Sequence, residues 1–218
     1  MLDALPVHKI GWDAARRQWF EWGVGLEGTG FGWRRLPSAT FDEAAAFAGI
    51  PCEAQRPLCG LPNELLDQLP DGFTTEICPA ALQWWRGAAE ALRRGRLLTI
   101  DYGLEADQFF APERISGSLR SYSHHQVSSD ILAQPGLQDI TAPVNFTAVR
   151  SVGAGMGLQT ETFMTQEQFL NRVVERVVES RTPFADWDGR RARELQTLTH
   201  PEHLGRRFSV LVQSRDAG

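Results

Sequence analysis

Residues 73–103 read FTTEICPAALQWWRGAAEALRRGRLLTIDYG, and the order of elements in that stretch sets the fold class. FTTEI is an apolar and β-branched run of strand length. PAALQWWRGAAEALRRG has helical composition over roughly four turns, with Pro79 suited to the first turn, where its missing N–H costs nothing, and Gly95 suited to the end. RLLTIDYG follows at once as a continuous apolar run, the pattern of a strand buried on both faces. Strand, helix and strand in that order predict a βαβ unit at the centre of a parallel sheet, and hence an α/β fold.

Towards the amino terminus, LPVHKIGWD, RQWFEWGVGL and GFGWRRLP are three short aromatic or β-branched runs separated by polar or glycine-containing breaks, which predicts a β-hairpin or meander over residues 5–36. FDEAAAFAGI has helical composition, but PCEAQRPLCGLP interrupts it with three prolines and a glycine, so loops and short helices are expected there. Beyond the βαβ stretch, Leu104 to Pro135 is polar and loop-like, with SYSHHQVSSD at its middle. Long irregular segments after a buried strand are where open α/β sheets carry binding loops. ITAPVNF, a helix from Phe146 to about Gly153, the strand LQTETFM, the helix QEQFLNRVVERVVES and a last strand RFSVLVQSR complete the reading, with residues 72–218 forming one run of strands and helices.

The chain has 218 residues, 42% hydrophobic and 22% charged, enough apolar material for one sizeable core. Its net charge of −5 and single lysine, Lys9, leave no basic stripe of the kind that tracks a phosphate backbone, which argues against a nucleic-acid partner. Cys52, Cys59 and Cys78 lack CxxC spacing, so neither a disulfide framework nor a zinc site is expected. No apolar run is long enough to span a bilayer, and MLDALPVHKI lacks the order of a signal peptide. A cytoplasmic protein without a membrane partner is the expectation.

Gly153, Gly155 and Gly157 in GAGMG have spacing that lets a backbone approach a ligand. They follow a helical stretch and precede a strand, the reverse of a cofactor loop, so they read as a helix-ending linker. His124 and His125 sit in the polar loop near Arg120 and Tyr122, where an imidazole serves as base or clamp; adjacent loop histidines are more often plain surface residues. His200 and His203 lack the intervening Glu of a zinc-protease helix. Asp101 stands at the carboxyl end of the central strand, where ligands approach such sheets, and capping the following loop is an equal alternative.

LDALPVH (residues 2–8), EICPAAL (76–82), LLTIDYG (97–103), GSLRSYSHH (117–125) and PGLQDITAPVNF (135–146) occur in that order, followed by GRRFSVLVQS (205–214). In this the chain resembles the MidA-type methyltransferases, which use S-adenosylmethionine and include a mitochondrial arginine methyltransferase that assists complex I assembly. The resemblance implies a class I, Rossmann-like sheet of which this chain supplies the carboxyl-terminal part, with the 5–36 meander as an insertion. It implies methyl transfer to a nitrogen, a protein arginine as acceptor, and S-adenosylmethionine as cofactor. By the same resemblance Asp3 and His125 are catalytic, Leu5 and Pro6 border the cofactor, and Asp101, Tyr102, Arg120, Tyr122, Asp139 and Thr141 surround the substrate. No metal site is implied.

Family members carry, before the LDALP segment, a long region with the glycine-rich cofactor loop and the acidic residue that holds the ribose. That region has no counterpart in these 218 residues, and Pro143 and Asn145 stand where the family usually has His and Asp. The expectation is a piece of the enzyme, inactive alone. A subunit completed by a partner carrying the missing amino-terminal half, or a non-catalytic assembly module, are the competing readings. An exposed apolar parallel sheet edge is predicted to make the chain associate with itself.

Overall fold

The computed structural model describes residues 2–37, 63–123, 126–180 and 188–216. The meander is present as β1 (His8–Asp13), β2 (Gln18–Glu27) and β3 (Gly30–Arg35), paired antiparallel in sequence order. After α1 (Asn63–Leu66) comes β4 (Thr74–Ile77), which joins this sheet beside β1, antiparallel, with His8 opposite Ile77 and Gly11 opposite Thr74.

The pairing of β4 corrects the expected βαβ unit. The helix α2 (Pro79–Ala91) and the strand β5 (Gly95–Leu104) both form, but β4 and β5 lie in different sheets, so α2 carries the chain from one sheet to the next. β5 sits in a second sheet of order β10–β11–β5–β9, formed with β9 (Val144–Asn145), β10 (Gln159–Thr165) and β11 (Phe208–Arg215). β11 runs antiparallel to both β10 and β5, whereas β5 pairs parallel with β9, Gly103 and Leu104 opposite Val144 and Asn145. Continuous apolar composition did not fix the direction of these strands, and β5 is not buried on both faces as that composition suggested, since one of its faces stays exposed. The segment read as a long polar loop also gains order. It contains α3 (Ala106–Phe109), β6 (Arg120–Ser123) and β7 (Gln126–Ser128), and with β8 (Asp139–Thr141) these strands make a small antiparallel sheet of order β7–β6–β8.

α4 (Phe146–Gly155) opens on Asn145, whose Oδ1 accepts the Ala148 N–H at 3.1 Å, a side-chain N-cap. Its last turns hold Gly153 and Gly155, and Gly157 follows at φ +79, so GAGMG is a helix ending. α5 (Gln166–Glu179) starts with a capping box between Thr165 and Gln168, and α6 (Gly189–Thr199) is capped by Asp188. Trp85, Phe146, Val149, Val152 and Leu211 form the core between α2, α4 and the second sheet. Gln213 is fully buried within it and satisfied on both sides, accepting from Trp85 Nε1 at 2.8 Å and donating to the Arg150 carbonyl at 2.9 Å. A second core under the meander gathers Ile10, Trp12, Phe73, Ile77, Phe109 and Phe110.

The outer edge of β5 from Gly95 to Tyr102 has no strand beside it among the described residues. Leu98, Ile100 and Tyr102 alternate on one face there and are 52%, 39% and 37% exposed. No helix is long and apolar enough to cross a membrane among the described residues.

Candidate functional site

A short 3-10 turn, Leu2–Ala4, places the first residues between the sheets. The buried Asp101 carboxylate accepts the Leu2 N–H at 2.7 Å through one oxygen and the Tyr102 N–H at 2.9 Å through the other. On the far side of the turn, the Asp3 carbonyl accepts the Ala142 N–H at 2.8 Å, just after β8. Asp3 is thereby fixed at both flanks, at the end of β5 and beside the small sheet.

Beyond it opens a cleft of about 410 Å³ between the meander and the small sheet. Asp3, Leu5, Pro6 and Thr141 line it, four of the residues singled out from the sequence. The register of β6 with β8 sets Arg120 opposite Thr141 and Tyr122 opposite Asp139, so these four share one face of the small sheet. Arg120, Tyr122 and Asp139 are exposed, and Arg120 also donates to the Leu119 carbonyl at 2.7 Å. Tyr102 is not in the cleft. It borders a separate depression of about 520 Å³ with Glu105, Gln168, Arg206 and Arg207. His124 and His125 lie outside the described residues.

The meander wall of the cleft holds the residues that sequence reading missed. His8 Nδ1 and the buried Glu21 Oε1 are 2.8 Å apart across β1 and β2. The Lys9 ammonium lies over the Trp33 ring, 4.3 Å from its centroid. Burial holds Lys9 below the usual lysine range, against an opposing pull from the Glu76 carboxylate. Trp22, on the same wall, has an indole N–H that is buried without a protein acceptor. One signal was available: β-strand alternation puts Lys9 and Trp22 on one face and His8 and Glu21 on the other, once the β1–β2 register of Lys9 with Trp22 is known.

Glu76 of β4 ties the two walls together. It is 5% exposed, and its two oxygens receive the Ser118 N–H at 3.1 and 3.0 Å and the Ser118 Oγ–H at 2.5 Å. Gly117 before it has φ +81, and a Cβ there would collide with the Glu76 carboxylate, so this approach requires glycine. The neighbouring Cys78 thiol is pushed up by burial and is hydrogen-bonded to the Pro6 carbonyl at 3.4 Å, which makes it structural rather than reactive. Cys52 and Cys59 lie outside the described residues. His200 Nδ1 accepts the Glu202 N–H at 3.2 Å, remote from the cleft in the turn after α6. No group of three His, Cys, Asp or Glu that could hold a metal occurs among the described residues.

With this geometry in view, comparison with known proteins gives three findings. A protein-family profile described as "Putative S-adenosyl-L-methionine-dependent methyltransferase" matches residues 1–164. Two crystal structures from Burkholderia thailandensis are similar over 99% of the chain at 30% identity. One is an uncharacterized protein of the COG1565 superfamily (TM-score 0.76, 53% of its length covered), and the other is a member of the same superfamily described as a "likely methyl transferase", bound to S-adenosyl-homocysteine (TM-score 0.74, 51% covered). The chain therefore spans about half the length of the structures it matches. No curated protein matches it.

Proposed function

The chain belongs to the S-adenosyl-L-methionine-dependent methyltransferase family whose profile covers residues 1–164, and from that premise we propose that it forms the acceptor side of an enzyme that methylates a nitrogen. The cofactor in this reading is S-adenosylmethionine, and the acceptor class is a protein arginine. The observation that carries it is the cleft itself, whose lining sets Asp3 beside Trp22 and Trp33. Carboxylates and aromatic faces are the two kinds of group that hold a guanidinium.

S-adenosylmethionine supplies an electrophilic methyl group when bound. The residues of this chain then have three tasks: to orient the acceptor nitrogen, to keep water away from it, and to hold its charge while a proton leaves. Asp3 takes the acceptor's charge, and His125 takes the proton. Arg120, Tyr122, Asp139 and Thr141 face the polypeptide that carries the acceptor, while Asp101 secures the turn that presents Asp3, and Tyr102 extends the substrate surface beyond the cleft.

Leu5 and Pro6 would border the cofactor when it is bound. No glycine-rich turn leads from a strand into a helix among the described residues, so the nucleoside does not fit this part alone. Its binding falls to the half of the relatives' length that this chain does not span. The unpaired edge of β5 is where that half, or a second copy in its absence, adds to the sheet.

Calorimetric titration of the 218-residue chain with S-adenosylhomocysteine tests the reading. The expected result is no binding in the micromolar range. Micromolar binding would place a whole cofactor pocket inside this chain and overturn its assignment as the acceptor side.

A further inference from the structure

We propose that the ring face of Trp33 is a subsite for a guanidinium or alkylammonium group, and that Lys9 occupies it in the free protein as a built-in stand-in for that cation. The proposal deepens the acceptor reading of the cleft and rests on it for its role, although the binding it predicts needs no cofactor.

Three features of the meander wall support it. Trp33 packs against the buried cluster of Leu119, Ile131 and Ala142, so its ring is held by the small sheet and does not depend on Lys9 for its position. The Lys9 ammonium sits 4.3 Å from the ring centroid, the distance at which a cation is attracted by the ring quadrupole; the face is therefore one that a cation occupies. Trp22 lines the same cleft beside it and adds a second indole to the aromatic wall.

The charge balance explains why Lys9 gives way. An ammonium is compact and strongly hydrated, and its partial burial disfavours the charged form. Its aliphatic stem lets the head swing to water without unpacking the strand. A guanidinium is more weakly hydrated and planar, so it pays less to lie on the same ring and presents its N–H edges to carboxylates. Asp3 lines the same cleft. Competition between Lys9 and an entering cation then makes the subsite selective for arginine over lysine.

The test is an NMR titration of the intact chain with N-acetyl-L-arginine methylamide, followed at the indole N–H signals of Trp22 and Trp33. Lys9→Met keeps the stem and removes the competing charge, and should bind the probe about three- to tenfold more tightly than wild type. Lys9→Arg restores an internal cation and should bind no more tightly than wild type. Trp33→Leu placed on Lys9→Met should abolish the gain, read at Trp22. Equal or weaker binding by Lys9→Met, or full retention of its gain after Trp33→Leu, overturns the proposal. Because no cofactor is in the sample, this outcome is independent of the S-adenosylhomocysteine titration.

Discussion

Replacing Glu76 by alanine should loosen the cleft by cutting the link between its two walls. In wild type one buried carboxylate satisfies both the N–H and the hydroxyl of Ser118, and hydrogen bonds to a charged group contribute about 1.5–3 kcal/mol each. The two donors share one acceptor group and are not additive, so the expected cost is about 3 kcal/mol rather than the full sum. For a chain of this size each kcal/mol moves Tm by about 2–4 °C, which gives a fall of about 6–12 °C in a calorimetric or circular-dichroism melt. The control is Ser118→Ala combined with Glu76→Ala. Ser118→Ala removes the hydroxyl donor and leaves the backbone N–H on Glu76, so its smaller cost should already be contained in that of Glu76→Ala, and the pair should show a coupling energy of about 1–2 kcal/mol. A Glu76→Ala melt within about 2 °C of wild type would refute the reasoning, because it would mean that residues 117–123 are held on the meander sheet by something other than this carboxylate.

The bare β5 edge predicts self-association of the isolated chain, seen by sedimentation velocity as a mass that rises with concentration, and Ile100→Lys should lower it by placing a charge on the exposed apolar face. A monodisperse wild-type monomer at all concentrations would count against a templating edge. Asp13 is held at a pKa of about 2, first by the Arg35 side chain and then by the backbone N–H and side chain of Arg16. A carboxylate with a depressed folded pKa contributes stability above its unfolded pKa of about 4 and loses it as pH falls towards 2. The Tm gap between wild type and Asp13→Asn should accordingly be widest above about pH 4 and close as pH approaches 2; a gap that is constant with pH would assign the loss to packing instead.

Local elements were legible in the sequence because their signals are local. Pro79 at the start of α2, the glycine-rich end of α4 and the short aromatic and β-branched runs of β1 to β3 each specify a backbone within a few residues. The motifs that carried the family resemblance were legible too, and the family profile over residues 1–164 agrees with them. Strand partners were not. FTTEI carries the same information whether it pairs with β5 or with β1, and only the presence of the β1 edge, with His8 to Gly11 opposite Ile77 to Thr74, decided it. The cleft lay out of reach for the same reason. Glu76 meets Ser118 42 residues away, and Lys9 meets Trp33 across a three-stranded register. A sequence fixes which residues alternate and where helices begin and end, through sterics and backbone hydrogen bonding along the chain. Which carboxylate faces which hydroxyl, and which cation covers which ring, is set by long-range burial, because those groups become neighbours only when distant strands share one core.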